Sequence, residues 1–150
     1  TPYNLVIHHE FVNGTIIIPI DERPPIPSTI QQWTGASRGS WDGDTLVVET
    51  RNFNDRAMIF TSSNKGRLNG LPVSPSMRLE ERFTRTSEDE IFWEFTVHDP
   101  EVYEGSWSVS MPLTYAPGYV MYEYACHEGN YSMEVILAGA REKEASERSR

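Results

Sequence analysis

The segment Met77–His98, MRLEERFTRTSEDEIFWEFTVH, decides the fold class. In Met77–Arg85 the residues Met77, Leu79, Glu81 and Phe83 alternate onto one face. In Glu90–His98 the residues Ile91, Trp93, Phe95 and Val97 do the same. Successive side chains on a strand point to opposite faces, so period-two alternation of bulky residues marks a half-buried strand. Turn formers bound both runs, as strands joined by short connections require.

Working outward, the same signature recurs in Tyr3–Val12, Thr15–Ile20, Ser37–Trp41, Thr45–Arg51, Gly105–Leu113 and Tyr119–Cys126. Asn13-Gly14 and Asp42-Gly43 each separate two such runs, and these pairs suit two-residue type I′ hairpin turns. The total is about eight strands, mostly antiparallel. Asp21–Gln32 carries Pro24, Pro25 and Pro27 and reads as extended loop. Thr61–Ser76, with its Gly turns and prolines, reads as a mobile flap. A single helix is expected over Tyr131–Arg148, because Met133, Ile136, Leu137 and Ala140 form one apolar stripe. Asn130 is placed to cap it and Glu134 suits its first turn. Beyond Ala140 the stripe is lost, so about 141–150 should fray. The expected fold is mostly β: one domain over 1–150, an antiparallel β-barrel or strongly curved, lipocalin-like sheet with one C-terminal α-helix outside or across one end. A β-sandwich is the main alternative.

Composition narrows the function classes. The chain has 150 residues, four Trp, seven Tyr and six Phe, a globular make-up able to bury a core. Its net charge of −9 repels phosphate backbones and anionic membranes, so no nucleic acid is expected as partner. No apolar run reaches the length of about 18 residues that a spanning helix needs, so no membrane span is expected. One cysteine, Cys126, excludes an internal disulfide and a cysteine-cluster metal site. The chain opens TPYNLV without initiator Met or signal peptide, which reads as a processed product whose upstream residues could belong to the fold.

The segments IIIPIDERPP (16–25), GASRGSWDGDTLVVETRNFND (35–55), LEERFTR (79–85), DPEVYEGSWSVSMPL (99–113) and YEYACHEGNY (122–131) together resemble a large family of exported bacterial proteins of unknown function. The resemblance implies a longer precursor with a signal peptide, and a periplasmic or secreted location. It implies no activity and no catalytic residues. Where the family pattern reads Asp-Gly-Arg-Pro-His, this chain has Asp21-Glu22-Arg23-Pro24-Pro25.

Chemistry-bearing residues concentrate in Tyr122–Tyr131, YEYACHEGNY. His127 precedes the expected helix, whose N-terminus disfavours imidazolium and so favours a neutral base; the alternative is a His bonded to backbone at a strand end. Glu123 would share its face, but four residues along a strand span about 13 Å, so the two could flank one ligand without sharing a proton. Glu128 is adjacent to His127. His9 alternates with Leu5, Ile7 and Phe11 and is expected to point into the barrel. Glu81 interrupts an apolar row and needs a partner or a raised pKa there, as a pocket acid or base or as a buried structural ion pair. His98-Asp99-Pro100 reads as a strand-to-turn junction. Cys126 reads as a buried structural thiol. Trp93, Trp107, Tyr122 and Tyr124 would line a cavity for a flat or apolar ligand, or simply fill the core. No metal site is expected, because no H-x-H or H-x₃-H spacing exists, and no cofactor is expected because no phosphate loop is present.

Two functions compete. One is an exported module binding a small apolar or aromatic molecule. The other is a cofactor-free lyase, isomerase or hydrolase using His127 or His9 with Glu81 or Glu123 as acid and base. The sequence leaves the oligomeric state open.

Overall fold

Nine strands and one α-helix follow one another along the chain: β1 (Asn4–His9), β2 (Gly14–Pro19), β3 (Ala36–Asp42), β4 (Thr45–Arg51), β5 (Met58–Asn64), β6 (Arg67–Pro72), β7 (Arg78–Arg85), β8 (Glu90–His98), β9 (Trp107–Thr114) and α1 (Ser132–Arg148). These are the elements of a computed structural model that describes residues 3–64, 67–125, 128–129 and 131–148. The chain divides into two units, Thr1–Ile7 with Thr15–Tyr119, and His8–Gly14 with Val120–Arg150.

The first unit is built on a five-stranded antiparallel sheet ordered β3-β4-β7-β8-β9. β3 and β9 are its edges, so among the described residues no strand pairing closes it into a barrel. β1 pairs with β2, and β5 with β6, as separate two-stranded sheets. The registers sort the side chains by face. Leu46 lies opposite Phe83 and Trp41, and Val48 opposite Glu81 and Gly39. Leu79 lies opposite Val97, Phe83 opposite Trp93, and Trp93 opposite Met111. One face is therefore apolar across all five strands, with Glu81 as its one carboxylate.

The opposite face is polar. There Asp42, Arg82, Glu80, Arg78, Glu49 and Arg51 form a ladder of alternating charge, with contacts of 2.8 Å (Arg82–Asp42), 3.9 Å (Arg82–Glu80), 3.1 Å (Arg78–Glu80), 3.4 Å (Arg78–Glu49) and 2.6 Å (Arg51–Glu49). The hydrogen bond from Arg51, then the Arg78 charge, holds the Glu49 carboxyl below the usual carboxylate range against the opposing effect of burial.

Two covers protect parts of the apolar face. The β1–β2 hairpin lays Ile18 against Leu46 and Val48, with Leu5, Ile7, Ile16 and Ile20 around them. Gly39 makes this approach possible, since a Cβ there would stand 2.8 Å from the Ile20 Cγ2 and 3.2 Å from the Ile18 Cγ2. At the other end Phe53, Val73, Met77 and Val97 form a second cluster with Leu79, Phe95, Tyr103 and Trp107. Fully burying side chains such as Ile18, Val48 and Val97 contributes about 1.5–3 kcal/mol each. Asp99 locks the second cover: buried, it accepts hydrogen bonds from Ser74 N (2.7 Å), Ser74 Oγ (2.7 Å) and Glu101 N (3.3 Å). The His98-Asp99-Pro100 junction is thus a turn with a structural carboxylate.

Several elements depart from the sequence expectations. The first hairpin does not use a two-residue turn. Glu10 turns to φ −61°, ψ −43° and opens a 3₁₀ turn over Phe11–Asn13, and Gly14 is extended at φ −68°. In the second hairpin the turn pair is Gly43-Asp44, with Gly43 at φ 59° and Asp44 outside the positive region, the II′ pattern. The expected flap, Thr61–Ser76, instead contributes most of the β5–β6 hairpin. Residues 119–125 form no strand. Asp21–Gln32 is extended loop as read, tied down where Asn52, at φ 60°, donates from Nδ2 to the carbonyls of Ile26 (3.4 Å) and Pro27 (3.1 Å).

In the second unit α1 begins as expected but stays helical to Arg148. Arg141, Glu142, Lys143, Glu144, Ala145 and Glu147 are strong helix formers, and Arg148 complements the helix dipole where Glu134 does so at the first turn. The stripe expected to pack is exposed at Met133, Ile136 and Leu137, and no helix residue is buried. Among the described residues no helix is long and apolar enough to cross a membrane.

Candidate functional site

At the end of the sheet that carries the β3–β4 and β7–β8 turns the β1–β2 hairpin reaches only Leu46 and Phe83, and the rest of that end is uncovered. Register places Trp41, Leu46, Phe83, Ile91 and Leu113 there on the apolar face, one from each strand. Leu5 and Ile7 of β1 complete the wall, and the result is an open apolar concavity of about 400 Å³ with Asp44 and Arg85 on its rim. Ile91 and Leu113 remain about 40% exposed and Trp41 63%, on a face that elsewhere is packed beneath a cover.

Behind this concavity runs an aromatic row. Phe83, a wall residue, stacks on Trp93 at 6.2 Å between ring centroids, and Trp93 meets Phe95 at 5.1 Å. Phe95 and Tyr103 each approach Trp107 edge-on at 5.9 Å. Glu81 sits within the row and accepts a 3.2 Å hydrogen bond from Trp93 Nε1. Burial pushes its carboxyl above the usual range, and the indole bond only partly opposes this. The sequence reading of Glu81 as the out-of-place carboxylate holds, and its partner is an indole rather than an ion.

The other expected site residues part company. Trp93 belongs to the wall behind the concavity, whereas Trp107 fills the second core cluster. His9 is exposed: β1 ends there and the following 3₁₀ turn breaks the alternation. Phe11, its supposed companion, is 70% exposed. Glu123 and Tyr122 are exposed in the irregular segment before the helix. Tyr124 is structural, its backbone held by Asn13 through Tyr124 N to Oδ1 (3.2 Å) and Nδ2 to Tyr124 O (3.4 Å), and its ring set edge-on against Phe11 at 5.1 Å. His127, Cys126 and Asn130 lie outside the described residues. Among the described residues no three His, Cys, Asp or Glu gather as a metal site would need.

Sequence reading missed Trp41, Asp44, Arg85, Ile91 and Leu113 as a group. Alternation assigns each to a face, but only the register of five strands brings them to one end. A second hollow, about 140 Å³, lies between the Pro24–Pro25 loop and β3–β4, lined by Arg23, Arg38, Glu49 and Arg51 among others. Its charges are largely spoken for: Arg23 is bound to Asp21 (Nε to Oδ1, 2.7 Å), Arg51 to Glu49, and Arg38 to the Asp21 carbonyl. Compared with protein-family models, curated proteins and solved structures, the chain matched none.

Proposed function

We propose that this chain is a binding module that holds a small apolar or aromatic molecule on the uncovered end of its sheet. The observation that carries the reading is the apolar concavity walled by Leu5, Ile7, Leu46, Phe83, Ile91 and Leu113. Removing apolar ligand surface from water there gains roughly 25 cal/mol per Å² before the costs of association. Curvature of the sheet into a lipocalin-like cup belongs to the same proposal, supported by the β1–β2 hairpin and the Phe53–Val73–Met77 cluster packing on one face. Export to the periplasm or beyond is likewise proposed, on the segment resemblance alone. The test is a fluorescence titration with the neutral probe N-phenyl-1-naphthylamine. Wild-type protein should bind it saturably, and Leu113→Asp, at a half-exposed edge position that tolerates a polar group, should weaken binding about tenfold or more. Absence of saturable binding would remove the proposal.

One observation favours a second reading, acid–base catalysis without a cofactor. Glu81 is a carboxyl whose pKa burial raises, set beside the Trp93 indole, a shift in the direction that suits a general acid. Turnover lost in Glu81→Gln with ligand binding retained would establish this reading over simple binding.

A further inference from the structure

We infer that the ligand is a zwitterion with an apolar or aromatic tail, its carboxylate taken by Arg85 and its ammonium by Asp44 and Trp41. The inference rests on the binding reading above. It arises because the apolar concavity does not end in solvent. Trp41, Asp44 and Arg85 also line another, wide-open hollow of about 540 Å³ with Gly43, Thr86 and Ser87. The three residues stand where the two hollows meet, and there the apolar wall gives way to the polar groups of Asp44, Arg85, Thr86 and Ser87, where the head of an amphipathic molecule would sit.

Their charges are opposite and unspent. Asp44 directly precedes Thr45, which pairs with Thr84, and Arg85 directly follows Thr84. The two side chains therefore emerge from neighbouring strands, which lie about 4.8 Å apart. Among the described residues they form no ion pair with each other or with any other group. Arg85 Nε donates to Ser87 O (2.9 Å) and Nη2 to Glu88 O (2.7 Å), so its partners are neutral carbonyls that fix its direction and leave its charge uncompensated. A guanidinium so held presents its remaining N–H groups to a carboxylate with little ordering cost. Asp44 offers a counter-charge to an ammonium, and the exposed face of Trp41 adds a cation–π contact. A purely anionic ligand would meet repulsion from Asp44, and a purely cationic one from Arg85. Only a molecule bearing both charges close together uses both.

Calorimetric titration of the intact chain with four benzyl probes tests this: phenylalanine (zwitterion), phenylalaninol (cation), N-acetylphenylalanine (anion) and 2-phenylethanol (neutral). Phenylalanine should bind at least about threefold more tightly than any of the others, as expected for two partly exposed charge contacts. Arg85→Gln should lower phenylalanine to the level of phenylalaninol, and Arg85→Lys should restore much of the loss. Asp44→Asn should erase the disadvantage of N-acetylphenylalanine. Phenylalanine binding no better than 2-phenylethanol, or selectivity that survives both substitutions, would overturn the inference and leave the binding reading standing. Failure of every probe, with failure of the neutral fluorophore, would overturn both. If Arg85→Gln does not fold, the wild-type series and Asp44→Asn decide the matter.

Discussion

Glu81 shows how one residue can work against the fold it sits in. Its folded pKa is raised, so the native state holds its proton more tightly than the unfolded chain does. The stability this confers is fully present below the unfolded pKa and is lost as pH rises through the folded one. Above that range the raised pKa is a cost to the fold. Glu81→Gln, whose amide oxygen can still accept from Trp93 Nε1, should therefore stabilise the protein at pH 7 by about 1 kcal/mol, roughly 2–4 °C in Tm. The gain should vanish below pH 4, which melts at both pH values would read. Asp99 is the opposite case. Asp99→Ala strands the two donors of Ser74 in the interior and should cost about 3 kcal/mol in denaturant unfolding.

At the scale of elements, packing of the β1–β2 hairpin on the sheet depends on the missing side chain at Gly39. Gly39→Val would drive a branched side chain into Ile18 and Ile20, and should cost about 2 kcal/mol or more. Urea unfolding would check this, and a neutral result would mean that the hairpin does not seat as described. β4, β7 and β8 were legible within a residue because alternation, β-branched content and bounding turns all agree there. The β5–β6 hairpin was not, because Ser62, Ser63, Asn64, Asn69 and Gly70 carry no strand propensity and are strands only through pairing with each other. The converse error fell on Tyr119–Cys126: Tyr and Val alternate suitably, but over residues 119–125 no neighbouring strand supplies the ladder. The helix was legible over nearly its whole length, Ser132–Arg148 against an expected Tyr131–Arg148, although loss of the stripe beyond Ala140 was weighted above the helix-forming run of Glu, Lys and Ala in expecting that end to fray.

At the scale of the whole molecule, the candidate site was half legible. Glu81 and Trp93 could be found because a carboxylate in an apolar row is visible in one strand. Trp41, Ile91 and Leu113 could not, because which end of a face stays uncovered is decided by hairpins distant in sequence. His9, the last residue of β1, is exposed although it alternates with Leu5 and Ile7, and Glu123 falls in a segment that forms no strand, so its expected face does not exist. What the fold supplies is a five-stranded sheet with a polar ladder on one side and a partly covered apolar face on the other. The central claim is that the uncovered part of that face is where the molecule takes its ligand.

The most direct measurement is a two-dimensional amide and indole NMR titration with 2-phenylethanol or the neutral fluorophore. The account predicts saturable shifts at the Trp41 indole and at the amides of Leu46, Phe83, Ile91 and Leu113, with the Trp33 and Trp107 indoles little changed. Shifts confined to the exposed stripe of Ser132–Arg148, or none at saturating probe, would contradict it.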